Sequence, residues 1–376
     1  MLTALVSGRE PRGFGVQAWK KLPKAAAVNQ LAGVVYGLVK PTGLAPADIL
    51  AELKLHYQVG AGAVILSEQA MINATRVLSE AGLEYLPLKG AVFRHLLYDD
   101  SSLRPAVDID ILVKSKDYDE ASRAMDKAGY ERLLDNDNRP VSMENCYERS
   151  YLHPDIKGFG ALIEIHNGFA QDDRYRPAYQ QIWERALTPP EMLERICRRA
   201  STISELPFGD GARLLDPEDT LTHLFIHAAM HMFHLPLRSF VDMKLLIERW
   251  NPDWVKLTDR VGQAGVRGGA YLCLDICRKL FDTKVPDHVM MTLEPGSLRK
   301  VWLETFVSTQ PVPWSADDSL PLSFFLLPVG LRFQQVLIGL PLIDNPTRAM
   351  RFAASYLALR GRDAVAAIRH KYSHLL

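Results

Sequence analysis

The sequence predicts an α+β protein in which a small mixed sheet with flanking helices lies between two helical regions. Residues 83–190 alternate short apolar or period-two segments with helical patterns, as expected of strands that alternate with helices. The chain on either side places apolar residues at three- and four-residue intervals. We therefore divide it into an N-terminal lead-in and helical segment (1–82), an α+β core (83–190) and a C-terminal helical domain (191–376).

The N-terminal segment begins with a lead-in over residues 1–24 that contains glycine, proline and scattered charges. From about residue 25 to Ala81 the apolar spacing predicts helix. Gly82 follows, and glycine is typical of the position after a helix C-terminus.

The core is predicted to contain three strands and two helices in alternation. The first strand, LEYLPLKGA, is short and apolar and ends at Gly90. The other two alternate apolar with polar residues, which is the pattern of half-buried strands. AVDIDILV carries Asp108 and Asp110, and GALIEIHNGF carries Glu164 and His166. The connecting segments AVFRHLLYDD and KDYDEASRAMDKAGYE have helical patterns.

The C-terminal domain has a clear helix start at LDPEDT, where Asp216 is the expected N-cap residue and Pro217 takes the first helical position. Residues 320–343 are strongly apolar but are interrupted by prolines, glutamines and Arg332. No run reaches the roughly 18 to 20 apolar residues of a membrane-spanning helix. We interpret this segment as a buried helical hairpin or as a hydrophobic contact surface for a partner or a membrane interface.

The composition of the chain limits the classes of function that it can have. With 44 basic and 44 acidic residues the net charge is zero, which gives no general attraction to nucleic acid or an anionic membrane. The four cysteines show neither a disulfide framework nor zinc-site spacing. Cys273 and Cys277, four residues apart, are interpreted as helix-packing residues. The first residues lack the apolar region of a signal peptide, so a cytoplasmic location is favoured.

Asp108 and Asp110 carry the clearest chemical signal. Side chains at i and i+2 of a strand point to the same face, so these two carboxylates are held close together. Like charges that close repel unless a cation lies between them. Mg²⁺ (or Mn²⁺) prefers carboxylate oxygens and keeps positions open for phosphate. Glu164, on a separate strand, is the candidate third carboxylate.

Lys89 and Gly90 supply the second half of the predicted site. A strand that runs into glycine at a helix start presents backbone N–H groups, and glycine lets a phosphate approach the backbone closely. The Lys89 side chain adds a positive charge. A lone Asp-x-Asp or Lys-Gly pair is common without function, but their order with Glu164 predicts a metal-dependent nucleotide site.

This arrangement resembles the nucleotidyltransferase superfamily that includes DNA polymerase β. More narrowly, LKG, the DIDILV strand preceded by Arg104, LIEIH and the later His-bearing helix resemble a bacterial family of uncharacterised nucleotidyltransferases, over roughly residues 25–260. The resemblance implies a polymerase β-like core at residues 83–190. It also implies transfer of a nucleoside monophosphate, with ATP as the preferred donor, to an acceptor.

The resemblance implies roles for the acids and for the phosphate-binding residues. Asp108 and Asp110 would bind the divalent ions, and Glu164 would complete the catalytic metal site and help to deprotonate the acceptor. Gly90 would hold the phosphates together with Lys89.

One departure from the superfamily concerns the residue after the glycine. Many members have serine there, with its hydroxyl on a phosphate, whereas this chain has Ala91. Lys89 or Arg94 is the candidate replacement for that contact. Arg104 would stabilise charge on the transferring group, or it would form an ion pair at the strand end.

Three histidines, His223, His227 and His231, recur at four-residue intervals on one predicted helix face. One helix seldom supplies three zinc ligands, and no Cys or HExxH pattern accompanies them. They are either a polar stripe along the active-site cleft, with His227 and His231 touching acceptor or nucleotide, or packed core histidines.

Three more residues are assigned to the same cleft. His166 shares a strand face with Glu164 and is expected to contact the acceptor or Asp110. Arg238 and Asp242 match positions of the family and would either pair with each other or line the cleft.

The resemblance implies that the acceptor is a hydroxyl group on a small molecule or a peptide. Zero net charge disfavours nucleic acid without excluding it, because phosphate binding requires a basic face. Two alternatives stay open at this point. One is a phosphotransferase that uses the same core to move the γ-phosphate, and the other is a non-catalytic nucleotide-binding or partner protein.

Overall fold

A five-stranded mixed sheet occupies the middle of the chain, and helices form most of the remainder. The computed structural model describes residues 1–9, 13–106, 108–133, 147–156, 162–170, 174–196, 206–231, 233, 235–306 and 339–354. The strands are β1 (Tyr85–Pro87), β2 (Asp108–Val113), β3 (Glu131–Arg132), β4 (Glu148–Leu152) and β5 (Leu162–His166). Their order is β1-β2-β5-β4-β3, and β2 and β5 are parallel while the other neighbours are antiparallel. The predicted α+β class is confirmed.

The helices fall before, within and after the sheet region. Before it lie α1 (Leu2–Val6), α2 (Val16–Val28), α3 (Ala32–Val39) and α4 (Ala47–Glu80). Between its strands lie α5 (Gly90–Leu96) and α6 (Tyr118–Lys127), and its last strand is followed by α7 (Tyr179–Arg185) and α8 (Pro189–Arg195). After it lie α9 (Pro217–Met230), α10 (Leu237–Trp250), α11 (Trp254–Ala264), α12 (Arg267–Phe281), α13 (Asp287–Leu293) and α14 (Ser297–Phe306). The predicted domain boundaries stay a prediction.

One face of the sheet is apolar along β2 and β5. Ile109, Ile111 and Val113 of β2 and Ile163 and Ile165 of β5 are all fully buried there. They pack against apolar residues of α4 and α6 in one core cluster. Because side chains alternate along a strand, this packing turns the aspartates of β2 and the glutamate and histidine of β5 to the opposite face.

Strands β3 and β4 are absent from the sequence prediction, which assigned only a polar stretch to this part of the chain. β4 reads Glu-Arg-Ser-Tyr-Leu, and among these residues only Tyr151 is buried. Its first and third residues, Glu148 and Ser150, pair with His166 and Glu164. Glu148 and Ser150 extend the polar face of the sheet. Because most residues of β4 are polar, the strand lacks the clear alternation of apolar and polar residues by which strands are recognised in a sequence.

The helix boundaries follow the local signals in the sequence. Helix α4 ends at Glu80 with Ala81 as its C-cap residue, and Gly82 has the left-handed φ of 70°. Helix α9 begins at Pro217, and the side chain of Asp216 accepts a hydrogen bond from the Asp219 N–H at 2.8 Å. Cys273 and Cys277 are free thiols buried on α12; the other two cysteines lie outside the described residues.

The apolar segment at 320–343 lies mostly outside the described residues, so its two interpretations stay predictions. Within its described end, Leu340–Leu342 form a 3₁₀ turn, and Pro341, Leu342 and Ile343 are buried. In the part of the chain that the structure describes, α4 is the helix long and apolar enough to cross a membrane. Core helices of soluble proteins meet the same criteria, so α4 does not provide a clear membrane-spanning segment.

Candidate active site

The polar face of the sheet brings the predicted acids together through strand register. Asp110 of β2 lies directly opposite Glu164 of β5, and His166 lies opposite Leu112, one pleat further along. In a parallel pair, residues in register point to the same side of the sheet. Ligand atoms of Asp110, Glu164 and His166 lie within 4.8 Å of one another, close enough to bind one ion. The predicted convergence of β2 and β5 is therefore present.

Asp108 lies at the edge of this group. It starts β2, opposite Leu162 instead of a second acid, and it is half-buried. Burial and the nearby Asp110 carboxylate raise its pKa, while Lys89 and Arg238 act in the opposite direction. The sequence predicted Asp108 as the third member of the ligand group. In the described residues the group has His166 as its third member instead. Asp108 as a ligand stays a prediction.

Lys89 already balances the charge of Asp110. Its Nζ lies 2.8 Å from Asp110 Oδ1, and His166 Nε2 lies 3.1 Å from the same oxygen. Burial alone would raise the pKa of Asp110, but Lys89 and His166 outweigh burial and hold it well below its usual value. Asp110 is 2% exposed, so a buried anion is stabilised here by two basic groups.

Glu164 has the opposite electrostatic environment. Burial and the neighbouring Asp110 charge raise its pKa to about 7, against a usual 4.5. His166 Nε2 lies 3.7 Å from its carboxylate and offsets only part of this. A carboxyl group whose pKa is near 7 can take up or release a proton at physiological pH, as a general base requires.

The turn from β1 into α5 is strained. Lys89 has φ 45° and ψ −120°, a combination that costs a non-glycine residue about 1–3 kcal/mol. The Leu88 N–H still donates to the Asp110 carbonyl at 2.9 Å, so the ladder extends to the edge of the turn. This backbone conformation allows the Lys89 side chain to reach Asp110, and strain of this kind is concentrated at functional sites.

Gly90 is required by close packing. A Cβ at this position would lie 2.8 Å from the Ala106 Cβ and 3.1 Å from Arg104 Nη1. We expect Gly90→Ala to lower the free energy of unfolding by about 1–3 kcal/mol, because the added methyl group overpacks the turn. Urea denaturation measures this, and Ala106→Gly in the same chain should recover most of the loss. A double variant as unstable as Gly90→Ala would show that packing against Ala106 is not the cause.

Arg94 points into the protein interior. It is 1% exposed, its Nε donates to the Gly90 carbonyl at 3.1 Å, and its Nη1 donates to Ser67 Oγ of α4 at 2.7 Å. Burial and the nearby Arg104 lower its pKa to about 10. Its contacts join α5 to α4, so the structure does not place it with the acid group. Its predicted phosphate contact has no support in this geometry.

Arg104 and Asp242 form a buried ion pair. Arg104 Nη2 donates to Asp242 Oδ2 at 2.7 Å, and Nε lies 3.0 Å from both carboxylate oxygens. The Tyr98 hydroxyl donates to Asp242 Oδ1 at 2.7 Å. Of the two sequence interpretations of Arg104, an ion pair is what this structure shows. Such bidentate pairs fix the guanidinium in position, here beside Gly90.

Arg238, one turn before Asp242 on α10, approaches the same region. Its Nη1 donates to the Pro105 carbonyl at 2.5 Å. Burial, then Arg104, lowers its pKa to about 9. Arg104 instead of Arg238 thus makes the bidentate pair with Asp242, and Arg238 is close enough to Asp108 to influence its pKa.

The three histidines of α9 occupy different environments. His223 is buried and stacks on Phe169, with ring centroids 4.5 Å apart, while His227 is half-buried and His231 is exposed at the helix end. Burial and the charge of Lys89 lower the pKa of His223 to about 3 and that of His227 well below its usual value. His223 fits a packed core residue, and His227 is a half-buried neutral group whose ring neighbours are His223 and His231.

Two residues near the acids were missed by the sequence analysis. The Tyr147 ring packs against His166 with centroids 5.6 Å apart, and burial and then Glu148 raise the pKa of its hydroxyl. Glu148 Oε2 lies 3.7 Å from His166 Nδ1, on the side of the ring away from Asp110. This distance is longer than a hydrogen bond, so Glu148 acts on His166 through its charge alone. Glu148 and Ser150 lie two residues apart, as residues on one face of a strand do, and this spacing could have identified Glu148. The polar residues around them hide the pattern.

The chain matches one family model, described as an uncharacterised nucleotidyltransferase, over residues 16–282. The matched range includes every residue of the site described above and runs from α2 to α12. No curated protein and no solved structure matches the chain.

Proposed function

The chain belongs to the family of uncharacterised nucleotidyltransferases, and from this premise we propose that it transfers a nucleoside monophosphate from an NTP, with ATP as first choice, to a hydroxyl acceptor. The observation that carries the proposal is the group of Asp110, Glu164 and His166 on adjacent parallel strands beside Lys89. Carboxylate and imidazole groups within 4.8 Å of one another fit a divalent ion.

The residues of the site would have different roles. Asp110, Glu164 and His166 would hold the divalent ion, with Asp108 as the candidate for a second one. When bound, such an ion neutralises phosphate charge and polarises the phosphorus–oxygen bonds. Glu148 places a negative charge 3.7 Å from Nδ1 of His166.

The phosphates would lie beside the β1–α5 turn. Lys89 Nζ lies 2.8 Å from Asp110 Oδ1, and Gly90 keeps the turn compact because it has no Cβ that would meet Ala106. Arg104 lies next to Gly90, and the Asp242 carboxylate balances its charge. Glu164, with a pKa of about 7, is the group that would accept the proton of the acceptor hydroxyl.

Isotope placement tests the proposal directly. With ATP labelled at the α-phosphate, the proposal requires the label to appear on the acceptor and pyrophosphate to be released. Label transfer from γ-labelled ATP would instead show a phosphotransferase. Binding of ATP without either transfer, across small-molecule and peptide acceptors, would support the non-catalytic alternative.

The presence of a histidine ligand predicts a metal preference. Mg²⁺ prefers oxygen ligands, whereas an imidazole nitrogen suits later first-row ions. We expect Co²⁺ to bind the metal-free protein more tightly than Mg²⁺, and His166→Phe to weaken Co²⁺ binding about 10–100-fold with little effect on Mg²⁺. Calorimetry and the visible absorption of bound Co²⁺ measure this.

The matched control for this prediction is His288→Phe, which changes an exposed histidine on α13. It should leave Co²⁺ binding unchanged. If His166→Phe binds Co²⁺ as the wild-type protein does, His166 is not a ligand, and the oxygen-only set of Asp108, Asp110 and Glu164 regains priority.

The acceptor class and the cellular location are part of the proposed function. The acceptor is a hydroxyl on a small molecule or peptide in preference to nucleic acid, since the chain has no net charge. A cytoplasmic location fits the two described cysteines, which are free thiols.

A further inference from the structure

The cations of the site are not equally balanced by acids. Lys89 pairs with Asp110 at 2.8 Å, and Arg104 pairs with Asp242 at 2.7 Å. Arg238, a half-buried residue at the start of α10, forms no ion pair with any residue that the structure describes. Its charge therefore lacks a counterion in contact, and a guanidinium enclosed by protein is unfavourable unless an anion lies beside it.

The hydrogen-bond donors of Arg238 are also incompletely used. Its Nη1 donates to the Pro105 carbonyl at 2.5 Å, whereas its Nε is enclosed and has no acceptor among the described residues. A guanidinium has five N–H donors, and enclosed donors in native proteins nearly always have partners. The enclosed Nε of Arg238 thus indicates a position where something other than the described protein supplies the acceptor.

Arg238 is connected by contacts to the turn where the phosphates are expected. Arg104 Nη1 donates to the same Pro105 carbonyl at 3.1 Å, so the two guanidinium groups are neighbours. The same Arg104 atom lies 3.1 Å from the position that a Cβ of Gly90 would take. Arg238 also lowers the pKa of Asp108, the first residue of β2, although burial and Asp110 outweigh this effect. The unbalanced cation therefore lies between the Gly90 turn and the start of β2.

The two adjacent guanidinium groups need more negative charge than Asp242 supplies. The Asp242 oxygens already accept hydrogen bonds from Arg104 and from the Tyr98 hydroxyl. Burial and then Arg104 lower the pKa of Arg238 to about 9, so the surrounding carboxylates do not offset these two effects. A phosphate group brings negative charge and several acceptor oxygens, and the planar fork of an arginine matches its geometry. Phosphate is therefore the ligand chemistry that fits this position.

We propose that Arg238 binds the β- and γ-phosphates of the nucleotide donor and balances the charge of the pyrophosphate that leaves. The inference rests on the proposed function, which places the α-phosphorus at the metal group around Asp110. Arg238 lies further toward the start of β2, on the side to which the outer phosphates extend. The acceptor oxygen forms a bond to the α-phosphorus and gives its proton to Glu164. The bond from that phosphorus to the bridging oxygen breaks, and pyrophosphate leaves with the electron pair beside Arg238.

Calorimetry on the full chain with Mg²⁺ tests this assignment with three probes: α,β-methylene-ATP, inorganic pyrophosphate and AMP. We expect Arg238→Gln to weaken binding of the first two by about 10–100-fold, as loss of a charge-assisted hydrogen bond does. AMP lacks the outer phosphates, so its affinity should stay the same. Arg238→Lys should recover only part of the loss, because an ammonium lacks the planar fork. The matched control is Arg249→Gln, which changes an exposed arginine of the same helix and should have no effect.

A stability measurement separates phosphate binding from a structural role of Arg238. Arg238→Met removes an enclosed donor and an unbalanced charge, and the Pro105 carbonyl keeps its hydrogen bond from Arg104. The urea midpoint of the ligand-free variant should therefore equal or exceed that of the wild-type protein. Pyrophosphate should raise the wild-type midpoint and raise that of the variant much less.

Three outcomes overturn the assignment while nucleotidyl transfer from α-labelled ATP stands. Unchanged affinity of Arg238→Gln for all three probes removes Arg238 from the nucleotide site. An equal loss of affinity for AMP and for pyrophosphate places Arg238 on the α-phosphate instead. A lower urea midpoint of ligand-free Arg238→Met makes Arg238 a structural link between α10 and Pro105. Conversely, Arg238-dependent pyrophosphate binding in a protein that transfers no α label overturns the proposed function and leaves the phosphate site at Arg238 in place.

Discussion

Asp110→Asn should reduce nucleotidyl transfer by at least about 10³-fold, the largest single effect that we expect in this protein. Asp110 contacts both Lys89 and His166 and belongs to the candidate metal group. Loss of a charged ligand removes several kcal/mol of charge stabilisation, and each 1.36 kcal/mol is a factor of about ten in rate. Single-turnover transfer from α-labelled ATP, together with Co²⁺ titration, measures the loss of both activity and metal binding.

The control for Asp110→Asn must separate chemistry from folding, because the substitution leaves the Lys89 ammonium without its carboxylate partner. The double variant Asp110→Asn with Lys89→Met removes that uncompensated charge and should regain stability without regaining activity. Asp126→Asn, an exposed aspartate on α6, should be neutral in both assays. An Asp110→Asn protein that is folded and retains more than a tenth of the wild-type rate would contradict the proposed site.

Glu164→Gln should change how the stability of the metal-free protein depends on pH. Because the pKa of Glu164 is about 7 in the folded chain and about 4.5 in the unfolded chain, the folded state binds the extra proton between these values. The wild-type free energy of unfolding therefore falls as pH rises from about 4.5 to about 7, by up to roughly 3 kcal/mol from this group. The glutamine variant lacks this decrease.

Urea denaturation at a series of pH values from 4 to 8 measures this effect as the difference between the two proteins. The difference should be small near pH 4, grow with pH and level off above about pH 7, with the variant the more stable protein. Glu52→Gln, an exposed glutamate on α4, is the matched control and should give a flat difference. Saturating Co²⁺ should stabilise the wild-type protein at pH 8 and not the variant. A flat difference for Glu164→Gln would show that Glu164 ionises normally.

The parts of the fold that the sequence predicted are those with a local physical cause. Asp108 and Asp110 alternate with buried isoleucines, so their common face follows from the two-residue period of a strand. Glu164 follows the same rule, and its register against Asp110 agrees with the expectation that both strands carry acids to one place. The N-cap at Asp216 is likewise a local signal.

The parts that the sequence could not predict depend on contacts between distant residues. Arg104 and Asp242 are 138 residues apart, and no spacing rule pairs them. Arg94 has a guanidinium group, which is a common phosphate ligand, but its contacts with α4 direct the side chain inward. The unfavourable φ of Lys89 depends on packing around the turn and has no signature in the residue type, because lysine does not favour that region.

The buried pair of Arg104 and Asp242 has a consequence for how this protein can be divided. Arg104 belongs to the segment that leads into β2, whereas Asp242 belongs to α10, and the two are 4% and 1% exposed. A chain that kept α10 but lacked the Asp242 carboxylate would leave a buried guanidinium without its counterion, at a cost of about 3–5 kcal/mol. A recombinant chimera that joins the sheet region to the later helices of a relative must therefore retain both members of the pair.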